Sequence, residues 1–470
     1  MRNFMPGGAA PVNRNVVLGV LLSGAFVAIL NQTLLATALP VFMADLNITA
    51  NTAQWLTTIF MLVNGVMIPI TGFLIQKFTT RGLFLTAMGL FSLGTFICAI
   101  SPTFAMLLTG RIVQAAGAGI IMPLMQTILF VIFPVHRRGA AMGTFGLVIA
   151  FAPAIGPSLS GWIVDHYPWP TLFKIILPIA LLDLIFAYFV LRNVTERTFP
   201  PLDITSIVLS TLGFSGLLYG FSAAGSLGWG SAPVLGALLA GLVFLVLFFH
   251  RQIRLEQPIL EVGVFRYRMF TLNTGIGMLA FIAMIGGTTI LPLYMQNMVG
   301  FPAVESGLAL LPGAAAMGLS SPFTGRLFDR YGAKGLALIG MTAITVTSFL
   351  YTILDADTSF AYIAAVNAAR MLGTAMVLMP VTTAALNELP RSLIPHGTAM
   401  NNTMRQVAAS MGTAVLVTIM TTAALDPETH GVSGLIHGVN ISFLVAGIIS
   451  ALGLVLAFFI KPLRLERSVN

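Results

Sequence analysis

The stretch GRLFDRYGAK, residues 325–334, places four charged side chains within ten positions. Only 8% of the 470 residues are charged, 57% are hydrophobic, and the mean hydropathy is +0.95. A soluble domain carries charge on about a quarter of its residues, because its surface must face water. The composition therefore predicts a membrane protein whose few charges are concentrated at particular loops.

Fourteen segments of roughly 20 apolar residues are each long enough to cross a bilayer as a helix. Long apolar runs favour helices over barrel strands, which alternate in polarity over about ten residues. The predicted spans are 16–38, 53–75, 83–101, 104–131, 140–163, 171–191, 203–222, 232–249, 270–293, 304–327, 335–354, 359–384, 398–423 and 438–460.

A weaker copy of the charged stretch, GFLIQKFTTR at residues 72–81, begins 253 positions before it. Both copies join consecutive spans, the second to the third and the tenth to the eleventh. A duplicated six-helix unit with two inserted helices accounts for this offset, and internal repeats are typical of secondary transporters. We expect an all-α fold with an N-terminal bundle at 1–198, two inserted helices and a linker at 199–262, and a C-terminal bundle at 263–470.

Lysine and arginine are distributed unevenly between the two sides of the predicted membrane. Of the 23 basic residues, 20 fall in the terminal segments, in loops on one side, or near the span ends that adjoin those loops. The other three, Arg111, Lys174 and Arg370, fall elsewhere within spans, and the loops of the other side hold none. The positive-inside rule therefore places both termini in the cytoplasm of a multi-pass plasma-membrane protein. The four tryptophans fall at the opposite, outer ends, where aromatic rings favour the interface.

Several classes of function find no support in the sequence. The single cysteine, Cys98, excludes an intrachain disulfide and a thiol metal cluster, and no metal site is expected. No G-x-x-x-x-G-K-[ST] loop occurs, so ATP is not the direct energy source. The net charge of +8 comes without basic patches interleaved with aromatic residues, so nucleic acid is not an expected partner. Neither an enzymatic nucleophile–base pair nor a channel filter stands out.

GRLFDRYGAK resembles the G-x-L-x-D-R-x-G-x-[KR] loop signature of the major facilitator superfamily. The resemblance implies an alternating-access carrier in which Asp329 latches one conformation. Its partner would be Arg137, Arg138 or a helix N-terminus of the opposite half; the alternative is an ordinary positive-inside loop. In the first copy Gln76 stands in place of the acid, which predicts a weaker latch. The matched latch positions are Gly325, Asp329, Arg330, Gly332 and Lys334.

Other segments of the sequence resemble one particular branch of this superfamily. APAIGPSLSG at 152–161 resembles the antiporter motif, which implies export, through Pro153, Gly156, Pro157 and Gly161. LPLYMQNMVGF at 291–301 and HGTAMNNTMRQVAASMGTA at 396–414 resemble the fourteen-helix drug:proton antiporters of the EmrB/QacA type, particularly the lincomycin-resistance branch. This resemblance implies export of lipophilic drugs or antibiotics, driven by a proton gradient without a cofactor. We expect the carrier to function as a monomer. The alternative is a dedicated exporter of one metabolite, lipid or peptide.

The residue that carries the proton has several candidates. Arg111 lies in an Arg-x-x-Gln element that resembles one implicated in proton handling in the family. Asp183 is the only acid near the middle of a span, where a carboxylate is either a proton site or a structural hydrogen-bond partner. Glu305 and Glu388 are reserves, since both suit solvated acids at span ends. The aspartate common in span one of the family is replaced by Asn31, which puts the usual proton site in doubt.

The substrate path is expected between the two halves near the midplane. Superfamily geometry would surround it with spans one, four, nine and twelve, and place two, five, ten and thirteen alongside. Their polar residues are the candidate cavity set: Asn31, Gln32, Asn64, Gln126, Thr288, Gln296, Asn367, Arg370, Asn402 and Gln406.

Overall fold

The computed structural model describes residues 14–195 and 197–461, which form fourteen α-helices, four 3-10 helices and no β-strand. The helices are α1 (Arg14–Asp45), α2 (Ala50–Lys77), α3 (Thr80–Ala99), α4 (Phe104–Ile132), α5 (Arg138–His166), α6 (Pro170–Val190), α7 (Ile204–Leu227), α8 (Ala232–Arg254), α9 (Arg268–Asn297), α10 (Ala303–Tyr331), α11 (Ala333–Leu350), α12 (Phe360–Asn387), α13 (Ile394–Thr422) and α14 (Pro427–Ala457). The terminal segments, predicted to be cytoplasmic, lie outside the described residues.

Each predicted span coincides with one helix, in the predicted order. In the described part of the chain, twelve helices are long and apolar enough to cross a membrane. The two that fall short, α10 and α13, carry polar side chains along their length, including Asp329 and Arg326 on α10 and Asn402 and Arg405 on α13. Both helices pack against the opposite half of the molecule, so part of their surface contacts protein rather than lipid.

The helices pack as two groups. Helices α1–α6 contact one another, and so do α9–α14, while α7 and α8 form a hairpin. The groups meet where α5 packs on α10 and where α13 packs on α2 and α4. We call the end where α5 begins and α10 ends the latch end, and the opposite one the far end. The domain boundaries at 198 and 262 stay predictions.

The two copies of the charged stretch form different turns. In the second copy, Gly332 adopts φ +77° between α10 and α11, and its N–H donates to the carbonyl of Phe328 at 2.8 Å. Glycine is favoured there because a Cβ destabilises this left-handed conformation. In the first copy Thr79 occupies the matching position with φ −70°, and its hydroxyl caps α3 by accepting from the Gly82 N–H at 3.1 Å. The threonine therefore suits its own turn.

The α7–α8 hairpin spans the line where the two halves meet. Helix α7 packs on α2 of one half and on α13 of the other. At the far end, the Trp229 indole N–H donates to the Thr418 hydroxyl at 2.6 Å, and Trp55 stacks on Tyr219 with ring centroids 5.8 Å apart. The hairpin thus contacts both halves, through a hydrogen bond to one and an aromatic stack on the other.

At the latch end, an ion pair joins the loop before α7 to the end of α8. The Arg251 guanidinium donates to both carboxylate oxygens of Asp203, at 2.7 and 2.9 Å. These bonds lower the pKa of Asp203 from 3.8 to about 2, with a further contribution from the Ser206 hydroxyl. Because the folded-state pKa is depressed, the stabilisation is complete above pH 3.8 and is lost only as pH falls towards 2.

We expect this ion pair to stabilise the hairpin equally at mildly acidic and mildly alkaline pH, because Asp203 stays ionised at both. In a double-mutant cycle with Asp203→Asn and Arg251→Gln, thermal unfolding should reveal a small favourable coupling, the same at about pH 5.5 and about pH 8. A coupling that weakens between these two pH values would mean that Asp203 titrates in this range.

Candidate functional site

The Asp329 carboxylate, near the end of α10, binds the beginning of α5. One carboxylate oxygen accepts from the Gly139 N–H at 2.7 Å, and the other accepts from the Ala140 N–H at 2.9 Å. The first N–H groups of a helix lack intrahelical partners and carry partial positive charge, so a carboxylate there is stabilised. This contact joins the two halves, and the N-terminus of α5, rather than an arginine, supplies it.

Glycines bring the two backbones into contact at this point. A Cβ at Gly139 would lie 2.4 Å from the carbonyl oxygen of Gly325, and one at Gly325 would lie 2.2 Å from the carbonyl oxygen of Gly139. One turn further along α5, a Cβ at Gly143 would lie 2.4 Å from the Ser321 carbonyl oxygen. A larger residue at any of these positions would separate α5 from α10. Sequence reasoning missed Gly139 and Gly143, whose four-residue spacing was the available signal.

The basic residues of the predicted latch have other contacts. Arg138 donates to the Asn387 side-chain carbonyl at 2.8 Å, which attaches α5 to the end of α12 in the other half. Arg137 and Arg330 are exposed, and Lys334 is partly buried. Among the described residues, the ion pair of the α7–α8 hairpin is the only one within 4.0 Å, so no arginine pairs with Asp329 in this conformation.

The antiporter-like segment lies in the middle of α5. Pro153 and Pro157 both lie inside the helix, which continues through them to His166. A Cβ at Gly156 would lie 2.1 Å from the Thr33 hydroxyl, so this glycine allows α1 and α5 to approach closely. Nothing lies within 4 Å of a Cβ built at Gly161. The motif thus shapes the α1–α5 contact inside the N-terminal half.

Two buried hydrogen bonds connect α4 to α13 across the halves. The Asn402 amide donates to the Gln126 side-chain carbonyl at 2.8 Å. The hydroxyls of Thr127 and Thr398 lie 2.8 Å apart. These side chains are buried, so separating the halves here requires another partner or water for each of them.

The candidate cavity residues differ in exposure. Asn31 is buried with no partner for either amide atom, whereas Asn367 donates to the Leu310 carbonyl at 3.4 Å. Gln126 and Asn402, both members of the set, are hydrogen-bonded to each other. The buried members are Asn31, Gln126, Asn367, Arg370 and Asn402; Gln32, Asn64 and Gln406 are partly buried, and Thr288 and Gln296 are exposed.

Arg111 and Arg370 occupy comparable positions in the two halves. Arg111 is fully buried, lies 4.2 Å from the Phe60 ring and donates to the Gln114 side chain at 2.5 Å. Arg370 is also fully buried, lies 5.5 Å from the Phe443 ring and donates to the backbone carbonyl of Ala283. Each guanidinium joins helices within its own half and has no carboxylate partner among the residues that are described.

Of the three candidate acids, one is buried and two are exposed. Asp183 is 4% exposed on α6, where one carboxylate oxygen accepts from the Ser23 hydroxyl of α1 and the other has no partner. Glu305 is exposed at the start of α10, and Glu388 is exposed just after α12. Asp183 is therefore the only buried acid in the described part of the chain.

Residues 21–413 match the family described as the Major Facilitator Superfamily. The chain belongs to this superfamily. The fold is similar to that of the human organic anion transporter MFSD10 (TETRAN), with a TM-score of 0.64 at 14% identity over 94% of this chain and all of that one. With its apolar helices, this chain is a multi-span membrane protein, and its membership points to transport rather than catalysis.

Curated superfamily members from Bacillus subtilis (strain 168) match over nearly the whole chain. The "Uncharacterized MFS-type transporter YcnB" is 55% identical over 96% of both chains. The "Lincomycin resistance protein LmrB" is 42% identical, again over 96% of each chain. These matches confirm the predicted superfamily and the resemblance to its lincomycin-resistance branch.

We expect Asp329→Asn to favour opening at the latch end, because the amide lacks the negative charge that binds the α5 N-terminus. The loss of such a cap is worth about 0.5–2 kcal/mol, which shifts a two-state equilibrium roughly 2- to 30-fold. Maleimide labelling of Ser321→Cys, in a Cys98→Ser background, measures the opening because Ser321 is fully buried against α5. Glu388→Gln, which removes an exposed acid, should leave labelling unchanged; equal labelling in all variants would contradict the latch.

The neighbouring residues Asn401 and Asn402 provide a matched test of the α4–α13 bonds. Asn402→Ala should increase labelling of Ser321→Cys several-fold, since it removes a bond between halves worth about 1 kcal/mol. Asn401→Ala breaks a bond to Thr274 within the C-terminal half, so it should lower the melting temperature without increasing labelling. Identical effects of the two substitutions would show that the contact does not control opening.

Proposed function

We propose that this chain is a proton-driven exporter of lipophilic drugs or antibiotics. The observation that carries the proposal is the 42% identity to a lincomycin resistance protein over 96% of the chain, together with the antiporter-like segment in α5. All fourteen helices cross the plasma membrane in this proposal, with both termini cytoplasmic. The polar side chains that lower the apolarity of α10 and α13 then lie partly against protein rather than lipid.

Alternating access requires the contacts between the halves to break and re-form. In the proposal the latch end is cytoplasmic and closed, held by Asp329 on α5 and by the bonds between α4 and α13. Opening this end would admit substrate from the cytoplasm or the inner leaflet. Closing it again would release substrate outside. The carrier needs no cofactor and works as a monomer.

Among the candidate residues, Asp183 is favoured as the proton carrier because its carboxylate is buried. Protonation neutralises a carboxylate that has one hydrogen-bond donor and lies in an apolar environment. It would also weaken the hold of α6 on Ser23 of α1. Helix α1 packs on α5, whose first residues bind Asp329, so movement of α1 has a route to the latch. Arg111, Glu305 and Glu388 remain the other candidates.

Transport by the purified protein in lipid vesicles tests the proposal. A lincosamide and a fluorescent lipophilic cation should move only when a pH gradient is imposed, and a protonophore should abolish that movement. Asp183→Asn should bind substrate yet lose coupling to the gradient, because a side-chain amide does not take up or release a proton near neutral pH. Glu305→Gln and Glu388→Gln are matched controls that should remain coupled.

The outcomes separate the alternatives. Coupling retained in Asp183→Asn but lost in a control variant would assign the proton to that glutamate. Movement of both compounds without a gradient would contradict antiport. If neither compound moves under any gradient, a dedicated exporter of one metabolite, lipid or peptide would replace the proposal.

A further inference from the structure

Arg405, in the latch-end half of α13, differs from the other buried arginines of the described residues, which are Arg111, Arg138 and Arg370. Each of those three donates at least one hydrogen bond to the protein. Arg405 is only 7% exposed, yet it makes no hydrogen bond to any described residue and has no carboxylate within 4.0 Å. Its guanidinium instead lies 4.7 Å from the centre of the Phe281 ring on α9.

The position of Arg405 along α13 makes an unpaired charge costly. The residue lies eleven positions after Ile394, where α13 begins, which is roughly 16 Å along the helix axis. Arginine keeps its charge near neutral pH, so deprotonation does not remove the cost. The aromatic ring offsets only part of the cost of burying the guanidinium inside the proposed membrane. The site therefore lacks an anion that accepts hydrogen bonds.

The neighbours of Arg405 place it on the side of α13 that faces the other half. Asn402, three residues earlier, bonds to Gln126 of α4, and Asn401, four residues earlier, bonds to Thr274 of α9. Side chains three and four positions apart lie on the same side of a helix. Arg405 thus lies between the α4 contact and the α9 contact. The Gln126 side-chain nitrogen also has no acceptor, so it is a second donor close to this point.

The stripe of α13 that contains Arg405 changes from polar to apolar along the helix. Asn402 precedes Arg405 on the stripe, on the latch-end side. Positions spaced by four and three residues continue the stripe towards the far end. These positions hold Ala409, Gly412 and Leu416, which carry no polar side chain. A ligand bound along the stripe would therefore meet positive charge at one end and an apolar surface at the other.

We propose that Arg405 binds the carboxylate of lipophilic acids, with the apolar body of the ligand directed along α13 towards the far end. A carboxylate supplies the negative charge and the acceptors that the guanidinium lacks. Opening of the latch end would separate Asn402 from Gln126 and so uncover Arg405. The inference deepens the proposed function by naming acidic compounds as its substrates, and it rests on that function in one respect, namely that a compound bound here is then exported.

The surroundings of Arg405 favour a lipophilic acid over the other anions that a guanidinium can bind. A phospholipid would have to carry its headgroup roughly 16 Å along α13 to reach it. An inorganic anion would gain nothing from the apolar part of the stripe. Asp183, the only buried acid in the described part of the chain, lies on α6, which packs in the N-terminal half and does not compensate this charge.

Equilibrium binding in phosphatidylcholine nanodiscs tests the site without transport. The probes are dansyl-labelled undecanoate and the primary amide of the same compound, and empty nanodiscs correct for their partition into lipid. The wild type should bind the carboxylate at least about tenfold more tightly than the amide, because only the carboxylate pairs with the guanidinium. Arg405→Gln should make the two affinities equal. Arg391→Gln, which removes an exposed arginine just before α13, should keep the preference.

A second variant maintains the test if Arg405→Gln does not fold. Asn402→Asp keeps Arg405 but places a carboxylate three residues away, at a spacing where Asp and Arg pair on a helix. It should abolish the preference for the carboxylate probe while binding of the amide persists.

The outcomes separate this site from the proposed function. Equal affinities in the wild type, or a preference that survives both substitutions, would overturn the site. Chloride that competes as well as unlabelled undecanoate would overturn it in favour of an inorganic anion. Preferential binding of the carboxylate without its gradient-driven export would refute the proposed function and leave the site intact. Export of the lipophilic cation together with equal affinities of the two probes would do the reverse.

Discussion

The closed latch end depends on a carboxylate at the N-terminus of a helix. Asp329 reaches the Gly139 and Ala140 N–H groups only because glycines on α5 and α10 let the two backbones touch. Charge and shape therefore act together, since without the close approach the carboxylate would be too far away to bond. The interaction uses backbone groups, which cannot change rotamer, so the two halves can re-form it in the same geometry after each separation.

Two pairs of buried polar side chains play different roles in this molecule. Gln126 and Asn402 bond across the halves, in contacts that must exchange partners whenever the halves separate. Arg111 and Arg370 instead bond within one half, each beside an aromatic ring. A guanidinium buried without a carboxylate is costly, and its contacts to carbonyls and aromatic rings reduce this cost. Arg111 and Arg370 thus hold helices together within each half, while Gln126 and Asn402 join the two halves.

The sequence predicted much of the fold because hydrophobic length and basic loops are local signals. Fourteen helices and the position of Asp329 followed from such signals. The partners of these residues did not follow, because Arg138 and Asn387 are 249 positions apart and their contact depends on packing. The glycines opposite the latch were visible only as a four-residue spacing. For Asp183 the sequence left a structural hydrogen bond and a proton role open, and its donor, the Ser23 hydroxyl, lies 160 positions away in the chain.

The α7–α8 hairpin makes the two lateral faces of the molecule unequal. On one face α7 packs on both α2 and α13, and the loop after it is hydrogen-bonded to α13, whereas on the other face α5 and α10 pack directly on each other. A repeat of two six-helix units alone would have two equivalent lateral faces, so the inserted helices α7 and α8 make these two faces different. In the proposed transport cycle, rocking of the two halves would have to keep α7 packed on both of them, so the face that carries α7 would act as the hinge and the α5–α10 face would open more widely.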